Sequence, residues 1–404
     1  MIKKRTLFSF LLIIVVVLLL EVLRLSPLAR TGSYVSLILS TYGHVIFFKN
    51  NKSFTTSFKR WYFLGLLLML ISIITTYVHY GQSFVSGFVA NIKLYEVGLV
   101  SLFWYFFLKY KIPISNFFSL LTISGWITVI IIALMIITNF TYINESDLTG
   151  KIIEIHGGKL SKGLVNFIAI YFFSIFLFKN NIKYLFFSIL FFSSNHFYEV
   201  QRYALISSIL LYAIGIFKNN NYKANFRLKM FTFLIIFILF IINISSNVGV
   251  ELIGRFQSAF KIFSTTSASK IGDSSVIARI NEIQFAIERF SMHPFFGNGN
   301  FRVSESQKVI GDVYFHLSDI GFFGILYTFG ILGLLVFVTQ LIYLLKNLKV
   351  KPSNIFQIFS ILVLSYMMIT SLLTGESIVF YKKFMFYVCL TELFRYNYHK
   401  KKTS

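Results

Sequence analysis

The chain is divided into apolar runs about as long as a bilayer is thick, and that pattern restricts it to very few architectures. A spanning helix needs roughly twenty mostly apolar residues. Twelve such segments centre near 6–22, 33–48, 61–78, 92–108, 115–139, 164–178, 182–195, 202–217, 228–244, 321–345, 355–373 and 378–394. In lipid every backbone polar group must find its partner inside the protein, which leaves helices or a closed barrel. Runs rich in Phe, Ile and Leu with only 4 prolines suit uninterrupted helices rather than the weak alternation of a barrel. The expected fold class is all-α: a polytopic transmembrane bundle of about twelve spans, in one integral membrane domain over residues 1–404. A mean hydropathy of +0.74 with 13% charged residues excludes a water-soluble globule. The start, Met1-Ile2-Lys3-Lys4-Arg5 and then apolar residues to about Leu20, has no small-x-small cleavage site and is read as a retained first span.

The formal charge of +23 raises nucleic acid as a partner, so the location of the basic residues decides. They alternate between loops as the positive-inside rule requires. Lys3, Lys4 and Arg5, then Lys49, Lys52, Lys59 and Arg60, then Lys109 and Lys111 fall on one side. Lys179 and Lys183, the group Lys218 to Lys229, Lys346 to Lys351, and Arg395 with Lys400 to Lys402 continue the series. Both termini are therefore expected in the cytoplasm. No basic stripe interleaved with aromatics is present, and no nucleic-acid partner is expected. The single cysteine, Cys389, allows no intrachain disulfide.

One long polar stretch interrupts the apolar pattern, at 245–320, and the alternation places it outside, between helices 9 and 10. Its seven basic residues meet seven acids, so it is charge-balanced, unlike the cytoplasmic face. Within it Val276, Ile280, Ile283, Ile287 and Phe290 recur at spacings of four and three, Asp273 or Ser274 can cap the start, and Pro294 ends the pattern. This predicts an amphipathic helix of about four turns. Arg279, Glu282, Ala286 and Arg289 share the face opposite the apolar stripe. Glu251 to Phe263 is a second amphipathic piece, suited to the membrane surface.

Several side chains here can carry chemistry. Arg279 and Arg289 on one face can grip an anion bidentately, with Glu282 orienting them; equally, Glu282 can pair with Arg279 on a solvated face. Arg202, at the outer head of the eighth helix, runs against the charge trend and either pairs with Glu199 or meets a substrate. His316 and Asp319 stand three residues apart where the chain re-enters the membrane; His316 can take a proton from a sugar hydroxyl, and Asp319 can instead cap the next helix. His293-Pro294 reads as a helix stop and Gly297-Asn298-Gly299 as a sharp turn. Lys382 and Lys383, expected near the outer end of the last helix, either snorkel to the interface or add an anion contact. No metal-ligand spacing is found, and neither a metal nor a cofactor is expected.

Taken together, Arg202, the pattern Arg279 … Arg289-x-x-x-His293-Pro294-x-x-Gly297-x-Gly299, the run His316-x-Ser318-Asp319-Ile320-Gly321-x-x-Gly324, and Phe329-Gly330-Ile331-Leu332-Gly333 resemble the O-antigen polymerase and O-antigen ligase superfamily. The resemblance implies a GT-C-like membrane fold in the bacterial inner membrane. It also implies glycosyl transfer from an undecaprenyl-diphosphate-linked oligosaccharide on the outer face, within membrane lipid and without metal. A chain-length regulator and a flippase of the same pathway are the implied partners. Arg202 and Arg279 become diphosphate ligands and His316 the base. Ligases follow their His with Asn, Ser or Gln; here Leu317 follows, and Ser318-Asp319-Ile320-Gly321 resembles repeat-unit polymerases. A polymerase is expected, with a ligase as the alternative, and with His316, Asp319 or the arginines alone promoting the reaction. Transport is the competing class; it predicts related halves and charges at mid-helix, and the sequence reads as having neither.

Overall fold

The computed structural model describes residues 2–20, 29–111, 114–137, 141–144, 153–156, 162–194, 202–218, 274–302, 320–350, 352, 354–379 and 381–402. The chain is helical. In order come α1 (Ile2–Leu19), α2 (Ala29–Lys49), α3 (Thr56–Tyr80), α4 (Phe84–Ala90), α5 (Ile92–Tyr95), α6 (Val97–Lys109) and α7 (Ile114–Ile137). Then follow α8 (Lys162–Lys179), α9 (Ile182–Ser194), α10 (Arg202–Lys218), α11 (Ser274–Met292), α12 (Phe322–Leu348), α13 (Ile355–Thr374), α14 (Glu376–Val379) and α15 (Tyr381–Lys402). Between α7 and α8 a small antiparallel hairpin pairs β1 (Thr141–Asn144) with β2 (Ile153–His156), a feature the apolar periodicity does not announce.

These helices cover eleven of the twelve apolar segments; the one at 228–244 lies outside the described residues. Among the described residues, α3, α12 and Ile355–Leu372 of α13 are long and apolar enough to cross a membrane. A fourth crossing results if α4 and the helix pair after it form one span bent by 67°. Local signals set the ends. Thr55 caps α3 by accepting from Phe58 N, Asn354 caps α13 through Gln357 N at 2.9 Å, and Gly81 and Gly375 close α3 and α13 in left-handed conformations.

The last helix forms the axis. Every residue from Tyr381 to Leu390 is buried, and α15 packs against α3, α6 and α13. Aromatic rings fill the space around it, with Phe47 stacked on Tyr62 at 3.7 Å and Phe118 stacked on Tyr171 at 4.3 Å. Exposed Ile and Leu side chains on α2, α3, α7 and α12 form the outer surface, as lipid contact requires.

Two helices break inside this bundle. Asn91 separates α4 from α5, its Nδ2 donating to Gly87 O at 2.9 Å. In α12 the helix is interrupted at Gly330 (φ 60°, ψ −151°), which strands carbonyls before the break and amides after it. The segment after α11 fills the gap. Asn298 N and Gly299 N donate to Tyr327 O and Thr328 O at 2.7 and 2.8 Å, and Ile331 N and Leu332 N donate to Pro294 O and Phe295 O at 2.8 and 3.2 Å. The sharp turn expected at Gly297-Asn298-Gly299 is present, with both glycines at positive φ.

A methyl at Gly330 would lie 2.5 Å from Pro294 O, in backbone space essentially reserved for glycine. Gly330→Ala should therefore cost about 3 kcal/mol or more by thermal unfolding in detergent. Gly81→Ala, at φ 67° with nothing within 4 Å of the added methyl, should cost only about 1 kcal/mol. Equal losses would show that the docked segment does not constrain Gly330.

Candidate functional site

The amphipathic helix forms as the spacing predicts, but its buried side is centred near Ala286 rather than on the apolar stripe. Ala286, on the arginine face, is 1% exposed and packs with Ile320 and Tyr327 of the re-entry region, whereas Ile287 on the apolar stripe is 50% exposed. α11 thus turns Ile283, Phe285 and Ala286 toward α12, while Asn281, Gln284, Glu288 and Ser291 are exposed together with Ile287 and Met292.

Arg289 is carried on this inward side. Its guanidinium carbon lies 5.4 Å from the Phe285 ring centroid, and Tyr80 and Tyr327 share its electrostatic surroundings. Four residues on, His293 stacks on His79 of α3 with ring centroids 3.8 Å apart and planes at 22°, while Tyr80 meets the His293 ring edge-on. Partial burial, then His79, then the Arg289 charge push the His293 pKa below its ordinary value. The mouth of α3 and the end of α11 therefore present one fixed positive charge beside a neutral imidazole.

Side chains hold this corner in place. Tyr80 donates its hydroxyl to Asn298 Oδ1, and Asn298 Nδ2 donates to Arg289 O at 3.2 Å and Tyr327 O at 3.1 Å. Asn300 N donates to Ser72 Oγ at 2.8 Å, and Asn300 Nδ2 donates to Asn91 Oδ1 at 2.8 Å. Gln82 Nε2 donates to Asn300 O at 3.1 Å, and Gln82 Oε1 accepts from Arg302 N at 3.0 Å. Among the described residues, Arg302 Nε is buried without a hydrogen-bond partner. Both helix breaks, at Asn91 and Gly330, are thereby tied to one polar strap.

The other expected residues fall elsewhere. Arg202 is the first residue of α10 and Arg279 lies in the second turn of α11, but both side chains are outside the described residues. Glu282 is partly exposed on α11, one turn after Arg279. His316 and Asp319 lie outside the described residues. His79, Tyr80, His293 and Asn298 were not singled out as site residues by sequence reasoning; a histidine in the last turn of α3, two residues before the glycine that ends it, was the available signal.

Lys382 and Lys383 do not snorkel to an outer interface. Lys382 is 3% exposed and forms a buried ion pair with Glu96, whose other carboxylate oxygen accepts from Ser36. The neighbours of Lys382 place it deep: Tyr381 donates to Trp61 O at 2.7 Å and Phe384 meets the Trp61 ring at 5.0 Å. Lys382 is thus held by Glu96, and Lys383 is buried beside it. The expectation of an interfacial or anion-binding Lys382 fails here. The signal was Glu96, with Lys93, in the apolar run 92–108. Close by, His44 bridges Tyr62 and the Tyr95 carbonyl, extending the polar core.

Among the described residues no three of His, Cys, Asp and Glu come together as metal ligands. Removing one member of the buried pair strands the other charge in low dielectric. Lys382→Met and Glu96→Gln should each destabilise by roughly 3–5 kcal/mol in thermal unfolding. The double replacement should cost clearly less than the sum. Additive losses would show that the two groups do not support each other.

No family model matches the chain, and no curated protein matches it.

Proposed function

We propose that the chain is a glycosyltransferase that polymerises undecaprenyl-diphosphate-linked oligosaccharide repeat units into O-antigen or capsular polysaccharide. The reaction runs at the outer face of a bacterial inner membrane, without metal or nucleotide sugar, in a bundle of about twelve spans with both termini cytoplasmic. The observation that carries this reading is Arg289. It is a permanently charged guanidinium set over Phe285, on the side of α11 next to the buried Ala286. A diphosphate leaving group develops negative charge as the glycosidic bond forms, and a fixed cation at that position stabilises the transition state more than the ground state. Arg279 on the same helix and Arg202 at the head of α10 complete the anion site, Glu282 orients the arginines, and His316 or Asp319 serves the acceptor. Lys382, engaged by Glu96, is left out. A ligase that moves finished polymer onto lipid A-core is the nearest alternative and would use the same anion site.

Transport of the same lipid-linked unit is a second reading. It draws support from the breaks at Asn91 and Gly330 and from the buried Glu96–Lys382 pair, since discontinuous helices and mid-membrane charges are how transporters build their sites. Deleting the gene separates the readings. Unpolymerised units accumulate in the outer leaflet if the chain is a polymerase and in the inner leaflet if it is a flippase; finished polymer remaining on the carrier indicates a ligase.

Arg289→Ala should keep the protein in the membrane yet lower polymer output by about 100-fold or more, leaving single repeat units on a gel. Arg289→Lys should recover part of the loss, because the charge is kept and the bidentate fork is lost. A normal long-chain ladder from Arg289→Ala would remove the basis of the assignment.

A further inference from the structure

We infer that His293, held by its stack on His79, is the general base that takes the proton from the acceptor hydroxyl. This inference rests on the glycosyl-transfer reading above and gives the proton-accepting role to His293, leaving His316 and Asp319 to bind and orient the acceptor. Three observations support it. First, His293 lies four residues beyond Arg289, so the two side chains rise one helical turn apart from the same end of α11. A donor whose diphosphate rests on Arg289 therefore brings its anomeric carbon to the same end of α11 that carries His293.

Second, the ring is placed and partly open. It is fixed between His79 at 3.8 Å and the edge of Tyr80, yet is only partly buried, and among the described residues no hydrogen bond occupies its nitrogens. Third, its surroundings keep it neutral. Two imidazoles stacked face to face beside a guanidinium cannot both hold a proton without facing like charges. The groups around it are His79 and Tyr80 from α3, Arg289 with the exposed Glu288 from α11, and Tyr327 from α12. Burial, His79 and Arg289 push its pKa down, which favours the basic form at neutral pH.

The step balances. The acceptor oxygen forms the new bond to the anomeric carbon and its hydrogen passes to an imidazole nitrogen of His293. The bond between the anomeric carbon and the diphosphate oxygen breaks, and the electron pair leaves with the diphosphate against Arg289. The imidazolium then returns its proton to water. His79 acts through His293 as a positioning residue.

The test uses purified full-length protein in vesicles of bacterial lipid, supplied with lipid-linked repeat units extracted from cells lacking the gene. The readout is polymer formed against pH. The wild-type rate should fall as pH drops through the His293 pKa, below the usual imidazole range, because the base is lost on protonation. His293→Ala should lower the rate at pH 7.5 by about 100-fold or more, flatten that acid limb, and recover rate when imidazole is added. His79→Phe keeps a ring in the stack and removes a basic neighbour, so it should move the acid limb to higher pH. Thermal unfolding of each variant shows that it is folded. If Arg289→Ala abolishes polymer while His293→Ala keeps the wild-type rate and pH profile, the base assignment is overturned and the glycosyl-transfer reading stands. Loss in His293→Ala with an unchanged acid limb and no imidazole rescue also overturns it. Normal ladders from both variants overturn the reading and the inference together.

Discussion

An unpaired backbone amide inside a bilayer has no water to turn to, and the shape of this protein follows from how it deals with the ones exposed at Gly330. The break in α12 frees two carbonyls and two amides, and the segment 294–299 supplies four matching groups. Once that exchange is made, the placement of α11 follows, because Pro294 begins two residues after the helix ends. Asn298 then binds Arg289 O and the Tyr80 hydroxyl, so the side chains that look like a site are set by a main-chain requirement. The arrangement of this corner is a by-product of satisfying the backbone, and its side chains are held in place for the same reason.

The second constraint is electrostatic. A glutamate and a lysine buried at one level, each with a polar neighbour, are tolerated in an apolar bundle only as a pair. Their presence puts a buried charge pair into the same molecule that carries the polar corner at Arg289. The interior pair sits in the tight contact of α15 with α5 and α6, and the corner sits where α3, α11 and α12 meet. The lipid-linked substrate proposed above, gripped at one end while its chain stays in the bilayer, would give both regions a use.

Much of the fold was legible in the sequence because long apolar runs have one solution in lipid. Even the amphipathic helix 274–292 was readable from its spacing of three and four. Its orientation was not. The arginine face reads as a solvent face until Ala286 is found buried against Tyr327, which only the third dimension shows. The break at Gly330 was hidden inside a hydropathic run, since hydropathy averages over the single residue that changes direction. The Glu96–Lys382 pair joins residues 286 positions apart, and a sequence window sees each as a stray charge. His293 was read as a helix stop, which it is, and that local role concealed its partner His79, on a helix more than two hundred residues earlier.

The apolar side chains exposed around the end of α11 carry one more consequence. Ile287, Met292 and Phe295 are all exposed there, with Phe295 at 69%. Side chains of that kind favour approach along the plane of a membrane. For the lipid-linked substrate proposed above, the quantity that governs arrival is then its number per area of leaflet, not its concentration per volume of compartment. Traffic on such a surface answers to bilayer composition and crowding by other lipids, so the composition of the membrane becomes a variable of the reaction.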